Sequence, residues 1–136
     1  MQSDDDLRTL LADAHRIAVL GAHPDPAKPA YYVPDYLHDR GYQVLPVNPV
    51  HVGRVLWDEP VRATLADIGP PLDVVDVFRR SELLDAHLDD VLAVRPRLVW
   101  LQSGIRNDAF ARRLQDAGIA VVQDRCLMVE HRRLFG

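Results

Sequence analysis

The sequence predicts an α/β fold: a single Rossmann-like domain over residues 1–136, built on a doubly wound, five-stranded parallel sheet with helices on both faces. Three observations predict it. Short runs rich in β-branched residues alternate with segments of helical period. Those runs are mostly apolar rather than alternating, as strands buried on both faces are. The first of them, Ile17–Leu20, stops at Gly21 and leads into a helical segment, which is the layout of a first βα turn in this fold class. Right-handed crossovers make 3-2-1-4-5 the simplest strand order.

Each element has a local cause. Ser3 before Asp4, Asp5 and Asp6 reads as an N-cap followed by first-turn acids, and Leu7, Leu10, Leu11 and Ala14 share one face of a short amphipathic helix. Arg16–Leu20 is the first strand. The loop after it, together with the turn that follows, carries Pro24, Pro26, Pro29 and Pro34 and the chain's only lysine, Lys28. Ala30–Arg40 is a helix turning Val33, Tyr36 and Leu37 inward, with Pro34 near its first turn and Gly41 closing it. Gln43–Val47 is the second strand, and Pro46 within it implies a position where one donor is dispensable.

The stretch Asn48–Pro71 is less regular. Gly53–Leu56 reads as a short edge strand, Thr64–Ile68 as one capped helical turn, and Gly69-Pro70-Pro71 as a break. Asp73–Phe78 is the third strand. Ser81 caps a helix over Glu82–Val94, stopped by Pro96. Leu98–Leu101 is the fourth strand, and Gln102–Arg106 is a turn around Gly104. Asn107 caps Asp108–Ala117, which ends at Gly118; Ile119–Gln123 is the fifth strand. Asp124 opens a last helical segment, Cys126–Leu134.

Composition narrows the function. Apolar residues are 48% and charged residues 26% of the chain, ordinary values for a soluble protein. A net charge of −4 argues against nucleic-acid binding through a broad basic face. The acidic N-terminus lacks the pattern of a signal peptide, and no apolar run approaches the ~20 residues of a membrane span, so the expected compartment is the cytoplasm. The single cysteine, Cys126, excludes an intramolecular disulfide and a multi-cysteine zinc site.

In an open parallel sheet, ligands lie beyond the carboxyl ends of the strands, where strand order reverses. Gly21, Ala22, His23, Pro24 and Lys28 follow the first strand, and Asn48 and Pro49 the second. Phe78, Arg79 and Arg80 follow the third, Gln102, Gly104 and Asn107 the fourth, and Asp124, Arg125 and Cys126 the fifth. The first loop promises an anion outward-pointing backbone N–H groups and the positive end of a helix. It is not a dinucleotide fingerprint. No glycine follows Gly21 until Gly41, and Asn48 stands where an NAD site carries an acid. A Walker-type lysine followed by Ser or Thr is absent as well. An extended anionic nucleotide with a different ribose decoration remains.

Five ordered motifs make the chain resemble the small stand-alone CoA-binding proteins (YccU-like), from about Ile17 to Leu134. They are IAVLGAHP with PAYYV, GYQVLPVNP, DVVDVFRRSE, WLQSGIRN and QDRCLMVEHRRL. That family is itself similar to the CoA-binding domain of succinyl-CoA synthetase and of related NDP-forming acyl-CoA synthetases. The chain departs from the pattern at His23, where a serine is usual, and at Ala30 and Tyr32, which replace residues often polar. The resemblance implies coenzyme A across the carboxyl edge of the sheet. The Gly21–Pro24 turn and the helix start at Ala30–Tyr31 would meet the pyrophosphate, and Lys28 would reach a phosphate. Asn48, Pro49, Phe78, Arg79 and Arg80 would surround adenine and the phosphorylated ribose. Gln102, Gly104 and Asn107 would line the pantetheine path, with Arg125 close by.

Plainer roles stand beside these. Arg79 and Arg80 also fit a surface pairing with Glu82 and Asp76, and Asp124 with Arg125 a buried pair fixing the last helix. His23 has no partner that would make it a general base. Cys126 reads as a small core residue; it would matter only if the CoA thiol ended beside it, which would permit a mixed disulfide. Glu130 and His131 are too few for a metal site, and Trp57 and Trp100 read as packing. The expected function is therefore binding of CoA or an acyl-CoA by a non-catalytic carrier or regulatory protein, with no metal, membrane or nucleic-acid partner. Two alternatives stay open: a detached component of an acyl-CoA synthetase acting with a partner, and a module sensing NAD(H). A homodimer through an uncovered sheet edge is open too.

Overall fold

The computed structural model describes residues 2–136. Its centre is a parallel sheet of β1 (Arg16–Leu20), β2 (Gln43–Val47), β5 (Val74–Val77), β6 (Leu98–Leu101) and β7 (Ala120–Val122). Side chains alternate across it. Ile17 and Val19 enter one core with α1 (Asp4–Ala12), α2 (Pro29–Asp39) and α5 (Leu127–Phe135). Ala18 and Leu20 enter the other with α3 (Leu88–Val94) and α4 (Asp108–Asp116). The α/β class and the helices on both faces are as the apolar runs predict.

The strand order is corrected. The sheet runs β2-β1-β5-β6-β7, which is 2-1-3-4-5 when only the five sheet strands are counted, not 3-2-1-4-5. Pro46 explains why. Its carbonyl accepts from the Arg62 N–H at 3.1 Å, on the side of β2 away from β1, and its ring nitrogen faces the same way with no proton to give. A full strand outside β2 would meet that missing donor, so β2 is an edge of the sheet, bridged on its outer side from Val47 to Arg62. The all-buried run Val74–Val77 instead pairs on both sides, with β1 and β6. The reversal of order therefore falls between β1 and β5, which puts the loop after Leu20 beside the loop after Val77.

Smaller differences have local reasons. The Ser3–Asp6 capping box starts α1, but the helix ends at Ala12, so Ala14 is buried beyond it. Pro34 lies at the sixth position of α2 rather than in its first turn. With no N–H on Pro34, the Ala30 carbonyl is released, and it accepts the His23 N–H at 3.3 Å. The expected edge strand is one arm of a separate hairpin, β3 (Val55–Leu56) with β4 (Glu59–Pro60), turned by Trp57 and Asp58 at φ 53° and 64°. The helix expected over Glu82–Val94 is a 3-10 turn, Ser81–His87, running into α3. Ser81 does not cap it; its hydroxyl accepts the Arg106 N–H at 2.9 Å. Among the described residues, no helix is long and apolar enough to cross a membrane.

Candidate functional site

The site grows from Gly21, the residue that follows β1. Its φ of +94° suits glycine, and a Cβ there would stand 3.0 Å from the Phe78 carbonyl oxygen and 3.3 Å from Cδ of Arg79. The missing side chain lets the loop after β5 cross directly over the loop after β1. Two clefts open on either side of this crossing, and Gly21 lines both.

The larger cleft, about 520 Å³, lies between the start of α2 and the loops after β5 and β6. Of the sequence-predicted residues it gathers Gly21, His23, Lys28, Ala30, Phe78 and Gln102. Gln102 is buried, and its Oε1 accepts the Leu127 N–H at 3.1 Å, which ties the floor to the first turn of α5. Cys126, the N-cap of α5, also lines this cleft as a half-buried free thiol. The smaller cleft, about 240 Å³, gathers Asn48, Pro49 and Arg79 against Leu20, Val47 and Leu65. Asn48 is held there by its Nδ2 donating to the Ala22 carbonyl at 2.9 Å, while its Oδ1 accepts the Val50 N–H.

Arg79 stands out electrostatically. Its Nε is buried without a hydrogen-bond partner, and among the described residues its guanidinium enters no ion pair. Burying an uncompensated donor on a cation is costly, so the group is poised for an acceptor from outside the protein.

The backbone of the first loop behaves otherwise than its sequence suggests. The Gly21 and Ala22 N–H groups both donate to the Val47 carbonyl, at 2.8 and 3.2 Å, and Asp25 N–H donates to Nδ1 of His23 at 3.0 Å. The Ala27 and Lys28 N–H groups donate to Asp25, and those of Tyr31 and Tyr32 to the Lys28 carbonyl. Pro24, Pro26 and Pro29 have none. Among the described residues of this loop, Ala30 alone keeps an N–H without a protein partner. The expectation of a cradle of outward N–H groups is thus corrected: positive charge here comes from the side chains of Lys28 and Arg79. His23 sits beside His51, their rings 5.0 Å apart edge to face.

Other predicted residues lie outside both clefts. Ala22 is fully buried in the core. Tyr31 turns inward to Trp57, with ring centroids 5.5 Å apart, while its neighbour Tyr32 lines the large cleft. Pro24 belongs to neither lining. Arg80 is an exposed residue 3.7 Å from Glu82. Gly104 donates its N–H to Asp124 at 2.6 Å, and Asn107 caps α4 and reaches Ser81 and Asp85. Arg125 pairs with Glu130 at 3.5 Å, and its carbonyl accepts the Trp100 indole N–H. Asp124 and Arg125 therefore anchor separate groups at the surface and are not the buried pair considered above.

Sequence reasoning missed Tyr32, Ser103, Ile105, His87 and Asp90 as lining residues. The last two are three residues apart, a spacing that places them on one helical face. Burial first, and then the Arg79 cation, lowers the His87 pKa, against an opposing pull from Asp90. One metal-competent cluster occurs among the described residues, Asp35, His38 and Asp39 on α2; none of the three lines either cleft. His131 is unsuited to a metal because both ring nitrogens are taken by Tyr36 and Tyr42.

Comparison with known proteins identifies the class. A family model described as CoA binding domain matches residues 15–132, and the chain belongs to that family. It is 33% identical over 126 residues to the Bacillus subtilis (strain 168) protein YneT, covering 93% of this chain and 92% of that one. Among solved structures, "cell-free ID.343" from Thermus thermophilus superposes with a TM-score of 0.96 at 57% identity, covering 98% of this chain and 100% of that one. A dinucleotide forming acetyl-coenzyme A synthetase 1 of Ca. Korarchaeum cryptofilum shares the fold, at TM-score 0.70 and 22% identity over 87% of this chain and 27% of its own.

Proposed function

We propose that this protein binds coenzyme A, or an acyl-CoA, lengthwise across the carboxyl edge of the sheet, as a carrier or regulatory protein without chemistry of its own. The observation that carries the reading is the pair of clefts meeting at Gly21, with the unpaired Arg79 guanidinium on the smaller one. An extended ligand with a nucleotide end, a charged middle and a narrow tail suits that arrangement. Adenine would occupy the smaller cleft near Asn48, Pro49 and Arg79, with the phosphorylated ribose outside its mouth. The pyrophosphate would cross Gly21 toward Lys28 and the Ala30 N–H, and pantetheine would run over Phe78 and Gln102 toward Cys126. Membership of the CoA binding domain family supports the ligand class.

Isothermal titration with CoA, dephospho-CoA, acetyl-CoA and NAD tests this. Micromolar CoA binding (about −8 kcal/mol) that weakens with dephospho-CoA, with NAD silent, is the expected result. Absence of binding to every CoA species would reject the reading. Acetyl-CoA binding as tightly as CoA would put the thiol in solvent and retire a Cys126 mixed disulfide. The second reading, a partner-dependent part of an acyl-CoA synthetase, is favoured by the likeness to one section of the korarchaeal enzyme. It predicts acyl-CoA formation from acid, CoA and nucleotide only when a second protein is added.

A further inference from the structure

The smaller cleft holds two side chains that the proposed function leaves without a task. His87 closes the 3-10 turn after β5, and Asp90 lies in the first turn of α3, both half-buried on its wall beside Arg79. Leu20, Val47, Pro49, Ala63 and Leu65 make the rest of the lining mostly apolar, with Asn48 and Thr64 its other polar side chains. Asn48 is already tied to the Ala22 carbonyl and the Val50 N–H, and Thr64 accepts from the Asp67 N–H. A cavity of about 240 Å³ takes one ring system rather than a whole extended cofactor. The question is which part of a nucleotide its polar end would choose.

A phosphate is the poorer fit. It would face the Asp90 carboxylate at close quarters, and like charges in a confined cavity repel. His87 would not offset that repulsion, because burial and the Arg79 cation favour its neutral form. One guanidinium would be left to hold a dianion beside a fixed negative charge. A heterocyclic base asks for something else: flat apolar walls, and donors set next to acceptors at one end. Asp90 supplies acceptors only, while Arg79 and a neutral His87 supply N–H donors.

We propose that Asp90 and His87 read the base of the bound nucleotide and select adenine. The Asp90 carboxylate accepts from the 6-amino group, while the His87 imidazole or the Arg79 guanidinium donates to a ring nitrogen. Adenine offers that amino donor beside ring acceptors, whereas guanine presents its O6 acceptor at the same position. O6 against a carboxylate leaves two acceptors facing each other with no proton between them, a desolvated mismatch that a site built on hydrogen bonds rejects strongly. This rests on the CoA reading above, and it assigns specificity to residues outside the phosphate-binding group.

The test uses the whole chain and two soluble probes, adenosine 3′,5′-bisphosphate and guanosine 3′,5′-bisphosphate, with CoA titrated in parallel. The unaltered protein should prefer the adenosine form by about thirtyfold or more. Asp90→Asn, which is nearly isosteric and can turn its amide N–H toward O6, should cut that preference below about fivefold. The change should come mainly from tighter binding of the guanosine form. His87→Gln should weaken the adenosine form about tenfold while circular dichroism shows an unchanged fold. Equal affinity for the two probes in the unaltered protein, or an undiminished preference in Asp90→Asn, overturns the inference even if CoA binds. If neither CoA nor either bisphosphate binds, the CoA reading has failed and this inference falls with it.

Discussion

The Tyr36 hydroxyl lies 3.0 Å from Nδ1 of His131, joining α2 to α5 inside the protein. Neighbouring bonds set the tautomer. The Tyr42 hydroxyl gives its proton to the Leu11 carbonyl at 2.7 Å, so at 3.1 Å it accepts from Nε2 of His131. Nε2 therefore carries the proton, and Nδ1 accepts from Tyr36. A second proton, on Nδ1, would turn the Tyr36 hydroxyl from donor to acceptor and cost its own proton that bond. It would also add charge near Arg40, whose guanidinium lies 3.6 Å over the Tyr36 ring.

Stability should accordingly fall in mild acid. Burial, then Arg40, lowers the His131 pKa below its ordinary value of 6.5. The unfolded chain thus takes up the proton first, so the contribution is complete above about pH 6.5 and is lost as pH drops below it. His87, lowered chiefly by burial, acts in the same direction. Urea midpoints at about pH 7.5 and 5.5 should show a smaller acid loss in His131→Gln than in the unaltered protein. Equal losses would exclude His131 as a source.

Gly21→Ala tests the crossing of the two loops. It combines a φ of +94° with a Cβ contact of 3.0 Å to Phe78 backbone oxygen, where no flexible side chain can give way. The expected cost is about 2–3 kcal/mol from strain and displacement together. CoA affinity should fall as well, because both clefts share this residue. Gly118→Ala is the control: its φ is also positive, at +84°, but a Cβ there meets nothing within 4 Å. It should cost less and leave binding unaltered.

What could be read from the sequence follows from the range of the interactions. Strand positions were legible because runs such as Leu98–Leu101 are apolar throughout, and the Asn107 cap because it acts on its own helix. Strand order depends on pairing between distant segments. Pro46 held the one local clue, a missing donor, and an inner position for β2 did not use it. The loop ends after each strand were legible as a group. Whether each side chain reaches a cleft was not, since Tyr31 and Tyr32 differ only by a step around α2. The inward N–H groups of the first loop depend on the Val47 carbonyl, which no local motif reveals.

Asp76 should oppose stability at neutral and alkaline pH. Its carboxylate is fully buried in the middle of the sheet, between Val19 and Trp100 in register, with no hydrogen-bond partner on either oxygen. Burial raises its pKa well above the ordinary aspartate value of 3.8. The folded state then holds a proton that the unfolded state has released, so stability declines as pH rises from about 4 toward the raised value. Asp76→Asn cannot ionise and should be more stable than the parent by roughly 1–3 kcal/mol at about pH 8. Chemical denaturation should show the advantage shrinking toward about pH 4. An advantage independent of pH would mean that shape, not charge, explains it.

The two arginines after β5 should differ sharply in ligand binding. Arg79 keeps a buried, unpartnered Nε on the smaller cleft, whereas Arg80 is exposed beside Glu82. A ring nitrogen or phosphate oxygen meeting the Arg79 guanidinium would pair a cation that enters no ion pair among the described residues, and charge-assisted bonds of this kind contribute about 1.5–3 kcal/mol. Arg79→Ala should therefore weaken CoA about tenfold or more, with a reduced dependence on salt. Arg80→Ala should change affinity less than about threefold, since an exposed pair contributes little. Lys28→Ala should fall between them, as a solvated point charge on a flexible stem. Titrations of the three variants at low and moderate salt would settle the ranking. Equal losses for Arg79→Ala and Arg80→Ala would take Arg79, and the smaller cleft with it, off the path of the ligand. Losses below tenfold in both Arg79→Ala and Lys28→Ala would move the phosphates away from Gly21 altogether.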